Sequence, residues 1–169
     1  MKRKIRMDDL INRKLEPFAS FHDATLQKIT VDYDNKTLSA EFEMCVGNPA
    51  GSNETERNRT RRGILSLAGL VLWAMEPPDN SDHDRWGPLW LTHDCLMEEA
   101  STDKGKTLAS ILDPDLYAWC IFFSDTNSFG YCAAREAMFE WQNALNQALA
   151  ADHKRPRPLK SDVYEVSRP

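Results

Sequence analysis

The feature that most constrains this chain is a period-two alternation on either side of a short polar turn. Ile29, Val31 and Tyr33 alternate with Lys28, Thr30 and Asp32. After Asp34-Asn35-Lys36, the residues Leu38, Ala40, Phe42, Met44 and Val46 alternate with Thr37, Ser39, Glu41, Glu43 and Cys45. Successive side chains of an extended backbone point to opposite faces, so each run presents one apolar and one polar face. Joined by Asp and Asn, which tolerate positive φ, the two runs predict an antiparallel β-hairpin.

Other segments extend that theme. From Gly63 to Met75 apolar residues stand at both parities, which fits a strand covered on both faces or a buried helix. Gly63, Ser66 and Gly69 weaken a helix and Pro77-Pro78 ends either element, so a strand is expected. The aromatic run Leu116–Phe123 reads as a strand, Ser124–Ser128 as a turn and Phe129–Ala133 as the start of a return strand. Short helices are expected at 7–15, ending before Pro17, and near 93–100.

Segment 134–151 carries two patterns at once. Ala134, Ala137, Met138, Trp141, Ala144, Leu145 and Ala148 fit a helical stripe. Tyr131, Ala133, Ala137, Phe139 and Trp141 share one strand parity. A strand to about 133 and a helix beyond about 141 are expected, with the middle open. Residues 47–62 have almost no apolar content and read as a long, flexible loop. The remainder of 79–115 reads as irregular, and the tail 152–169, with Pro156, Pro158 and Pro169, as loosely held.

A chain of 169 residues with 41% hydrophobic content suits one domain, 1–169, with a core of its own. The fold class expected is α+β: mainly an antiparallel β-sheet, as a sandwich or partly open barrel, with one or two short helices. Cys45, Cys95, Cys120 and Cys132 lack metal or redox spacing and read as buried thiols rather than a disulfide frame. The basic start Met1-Lys2-Arg3-Lys4 runs into Asp8, Asp9, Asn12, Arg13 and Lys14 without an apolar block. No export signal and no membrane span are expected, and the cytoplasm is the expected compartment.

Net charge is −5, unevenly spread. The stretch 76–103 holds Glu76, Asp79, Asp82, Asp84, Asp94, Glu98, Glu99 and Asp103 against Arg85 alone. It reads as a solvated loop region or as an acidic patch that steers a basic protein partner. Under the second reading Asp82, Asp84, Glu98 and Glu99 supply charge, with Trp86 and Trp90 as interface anchors. An acidic balance argues against nucleic acid as a direct ligand.

Catalytic signals are sparse. Ala100-Ser-Thr-Asp-Lys-Gly105-Lys106-Thr107 fits a permissive phosphate-loop pattern. Asp113-Pro114 follows within two turns, so an exposed polar loop is the reading taken. His-Asp occurs at 22–23, 83–84 and 93–94. His22, Asp23, His83, His93 and Asp94 would be the ligands of a metal-dependent hydrolase, the alternative reading. No nucleophile elbow or dinucleotide fingerprint is present, so neither a catalytic residue nor a cofactor is assigned. A third possibility is a barrel that binds a small molecule among its aromatic strands, for which a large dry cavity would be the mark.

Phe21-His22-Asp23-Ala24-Thr25-Leu26-Gln27-Lys28-Ile29, followed by Asp32 and the alternating run 37–46, resembles a group of small bacterial proteins whose first hairpin opens His-Asp-Ala/Ser-x-Leu. Several are immunity proteins of polymorphic toxin systems. Arg61–Leu70 and Ser128–Trp141 are loosely similar to their later strands, so the resemblance spans about half of the chain. It implies an antiparallel β-rich fold, protein binding rather than catalysis, and a strand at 134–141. The insertions 47–62 and 76–115 depart from the pattern and leave the binding surface undefined.

Overall fold

In the computed structural model, residues 4–78 and 88–142 are described. Six antiparallel strands close into a barrel: β1 (Ala24–Asp32), β2 (Thr37–Cys45), β3 (Thr60–Met75), β4 (Leu89–Leu96), β5 (Tyr117–Phe123) and β6 (Ser128–Trp141). Their spatial order is β1-β2-β3-β6-β5-β4, with β4 returning to pair with β1 through Ala24–Leu26. The fold class is therefore the expected one, with the barrel closed rather than partly open. Helix α1 (Glu54–Arg57) and helix α2 (Asp103–Ile111) are both short.

The first hairpin forms in the register that the alternation demands, Ile29 opposite Ala40 and Val31 opposite Leu38. Leu38, Ala40, Phe42 and Met44 are buried in the barrel core. Asp32 fastens the turn by accepting bonds from the Asn35 backbone N–H and side-chain amide, at 3.0 and 2.8 Å. The positive φ of 52° falls on Lys36 rather than on Asp34 or Asn35.

The conflict over 134–141 resolves as strand, for a reason visible in its partner. Gly69 has a φ of 60°, and a Cβ there would lie 3.0 Å from that of Arg135 on β6. At this irregularity the inward faces of both strands change parity. Ala137, Phe139 and Trp141 pack on the barrel core, and so do Ala134 and Cys132 beyond the switch. Tyr131 and Phe129 belong instead to a second cluster with Cys95, Cys120 and Leu108. A strand whose core residues are 134, 137 and 141 mimics a helical stripe. The expected helix beyond 141 lies outside the described residues, as does the tail 152–169.

Several other expectations are corrected. The N-terminal helix is only a 3-10 turn, Met7–Leu10. The segment 47–62 contains α1, capped by Asn53 accepting from the Glu56 N–H at 2.8 Å, and the start of β3. The helix near 93–100 is the end of β4 followed by a 3-10 turn, Met97–Glu99. The polar loop at 100–107 is largely α2, because Thr102 caps its N-terminus by accepting from the Gly105 N–H at 3.1 Å.

The N-terminal segment is fastened to the barrel core. Met7, Ile11, Ala19 and Phe21 are buried, with Phe21 edge-on to Phe42 and Phe139 at 5.1 and 5.4 Å. The Trp119 indole donates to the Ile5 carbonyl at 2.9 Å, and the Phe21 N–H donates to Asp8 at 2.7 Å. Glu16, 3% exposed, accepts from Arg59 and Arg61 at 2.7 and 2.9 Å and so ties the segment to β3. Burying a carboxylate is tolerable only with such partners.

Candidate binding groove

The barrel interior is packed. A void of about 10 Å³ remains beside Phe42, Trp73 and Phe123, room for about one water molecule. That is far below the large dry cavity that would mark a small-molecule barrel, the third possibility raised by the sequence, because core side chains of up to Trp size fill the space.

A larger hollow lies outside, where the turn Met97–Glu99, the end of α2 and the start of β5 meet the N-terminal residues Lys4 and Ile5. Its volume is about 510 Å³, within the range of about 300–1,000 Å³ typical of ligand sites. Leu96, Met97, Ala109, Leu112, Pro114 and Leu116 give it an apolar lining, and Glu98, Asp113 and Asp115 add three carboxylates. Pro114 follows the helix because it cannot continue one, and the Asp113 carboxylate holds the turn by accepting the Asp115 N–H at 2.9 Å. Lys4 pairs with Glu98, and Arg6 with Glu99 at 2.8 Å. Among the described residues the lining is apolar at its floor and carboxylate-rich at its edge, with Tyr117 beside it.

The helix that walls the groove is held from behind. Tyr131 donates to Glu76 at 3.0 Å, Lys104 donates to the same carboxylate oxygen at 3.1 Å, and the Tyr131 and Thr102 hydroxyls lie 3.2 Å apart. Burial favours a protonated Glu76, yet the bonds from Lys104 and Tyr131 outweigh it and hold the carboxyl below its usual range. Burial pushes the Tyr131 phenol up to about 12. Beneath α2, Cys95 and Cys120 stand opposite each other on β4 and β5. Burial raises both thiols, Cys120 to about 12, so neither is a ready nucleophile. The Thr107 hydroxyl donates to the Asp103 carbonyl at 2.8 Å, a local bond that leaves the phosphate-loop pattern without its usual role for that side chain.

The structure separates the residues read from sequence as a partner surface. Trp90, 48% exposed, lies at the start of β4, where its N–H donates to Asp125 at 3.1 Å. Glu98 and Glu99 lie beyond the opposite end of that strand, about 20 Å away at about 3.3 Å per residue. Of the described ones, Glu98 lines the groove and Trp90 and Glu99 do not. Asp82, Asp84, Trp86 and His83 lie outside the described residues. Of the groove's other residues, Ala109 and 112–115 stood in a stretch read as irregular, Leu96 and Met97 in the helix expected near 93–100, and 116–118 in the strand expected at 116–123; the signal for the site was Leu112 and Leu116 flanking Asp113-Pro114-Asp115.

Of the His-Asp pairs, His22-Asp23 and His93-Asp94 lie in the described residues, near enough for His22 to act on the charge of Asp94. His22 Nδ1 lies 2.9 Å from Asp23, both side chains more than half exposed. Asp23 has a φ of 65° and donates its N–H to the Leu91 carbonyl at 2.9 Å, making the dipeptide a turn into β1. On β4, His93 is exposed and Asp94 half-buried. Burial, then the charge of Asp8, push Asp94 up to about 6 against the opposing pull of His93, Arg6 and His22. Among the described residues no three His, Cys, Asp or Glu side chains form a group that could hold a metal ion. No described helix is long and apolar enough to cross a membrane.

No family model and no curated protein matches the chain. A crystal structure of an uncharacterized protein from Neisseria gonorrhoeae is similar at 14% identity and a TM-score of 0.43, over 72% of this chain and 94% of that one. Likeness at that level carries no functional argument.

Proposed function

We propose that this chain is a non-enzymatic, immunity-type protein of the cytoplasm that binds a basic protein partner, such as a toxin domain, through the groove beside α2. The observation that carries the reading is the groove itself: an apolar floor with Glu98, Asp113 and Asp115 around it, on a barrel whose interior is filled. Apolar area supplies affinity, while carboxylates at the rim select and steer a cationic segment. The 3-10 turn and α2 give the site rigid walls, so little ordering cost is expected on binding.

The test is capture of partners from the native cell at low salt, followed by calorimetry with the purified partner. Leu116→Glu places a charge on the floor and is expected to weaken binding at least tenfold, while 0.5 M NaCl weakens the wild type. A partner that binds Leu116→Glu as tightly as wild type removes the groove from the interface. A preparation that retains no partner at low or high salt counts against the whole reading.

A further inference from the structure

The groove has a chemically complementary segment within its own chain. His153-Lys154-Arg155-Pro156-Arg157-Pro158-Leu159-Lys160 carries four cations and no carboxylate, in a chain whose net charge is −5. We propose that this segment is an occupant of the groove, an internal competitor for the surface that a partner uses. The inference rests on reading the groove as a protein-binding site and adds the regulation of that site.

Three observations carry it. Charge is complementary: Lys154, Arg155, Arg157 and Lys160 would meet a rim of Glu98, Asp113 and Asp115, where among the described lining residues Lys4 is the one cation and pairs with Glu98. Apolar surface is matched as well, since Leu159 and two prolines interleave the cations where Leu96, Leu112 and Leu116 form the floor. Proline also restricts the unbound backbone, which lowers the entropy lost on docking.

Reach is sufficient. Ala134 of β6 pairs with Tyr117 at the groove, and β6 runs on to Trp141. Those seven residues carry the chain about 23 Å away at about 3.3 Å per residue. The eleven residues 142–152 can span up to about 36–40 Å when extended, enough to return. As part of the same chain, the segment binds with an effective concentration of millimolar order. A weak intrinsic affinity therefore still occupies the site, and an outside partner displaces it.

Zero-length carbodiimide coupling of the full chain, mapped by mass spectrometry, tests the inference. Each productive event joins a lysine amine to a carboxyl as an amide with loss of water, the carbodiimide taking up that water as a urea. Lys154 or Lys160 is expected to couple within one molecule to Asp113, Asp115 or Glu98. In Arg155→Glu/Arg157→Glu, which keeps both lysines, the yield is expected to fall at least fivefold, and 1 M NaCl to have a similar effect. Mixing isotopically heavy and light protein separates intramolecular links from links between copies. Tail lysines that couple only to other carboxyls, couple only between molecules, or couple equally well in the variant overturn the inference. A partner that ignores Leu116→Glu while the links persist overturns the functional reading and leaves the docking standing. A partner that needs Leu116 with no such links has the reverse meaning.

Discussion

Replacing Asp94 with Asn removes a carboxylate held against its preference. Asp94 sits half-buried on β4, and burial together with Asp8 raises its carboxyl from 3.8 to about 6. The folded chain therefore holds this proton more tightly than the unfolded chain. Between about pH 4 and pH 6 the native state binds more protons, so stability falls as pH rises through that window. The cost of the charge is fully present above about pH 6. At about 1.36 kcal/mol per pH unit, the ceiling is about 3 kcal/mol; local rearrangement and water access leave about 1–2 kcal/mol as the expected gain for Asn. Urea unfolding followed by tryptophan fluorescence, at pH 4.5 and 7.5, reads it directly. Asp94→Asn should be the more stable protein at pH 7.5, with the advantage shrinking by pH 4.5. A variant less stable than wild type at pH 7.5, or an advantage of equal size at both values, refutes the argument that burial dominates.

Other parts of the structure make similarly direct predictions. Glu16→Ala leaves Arg59 and Arg61 without their shared buried partner; chemical denaturation should show a loss of about 2–4 kcal/mol, below the fully buried case because both arginines reach solvent. Thr102→Ala removes the cap of α2 and the contact to Tyr131; a loss of about 1–2 kcal/mol is expected by the same measurement. A disulfide reagent at pH 8 should label one thiol of the native protein rapidly, the exposed Cys45, and the buried Cys95, Cys120 and Cys132 only on unfolding; fast labelling of Cys95 or Cys120 would show that α2 does not shield the pair beneath it. Gly63→Val should cost about 1–3 kcal/mol by chemical denaturation, because a Cβ at Gly63 would stand 2.1 Å from the Phe139 ring and force it to move.

The sequence by itself determined the first hairpin, the three long apolar strands and the antiparallel class. Those features rest on side-chain alternation, a local property of extended backbone that no distant contact needs to supply. It could not place the inward face of β6, because Gly69 on another strand decides where the parity changes. Likewise α2 was hidden: its apolar residues meet the outer faces of β4–β6, and without that surface the segment is a weak helix of nine residues. Barrel closure, the filled interior and the groove are wholly tertiary. Lys4, Leu96 and Leu112 come from three separate stretches of chain, and a concave surface assembled from such stretches exists only after the strands have closed.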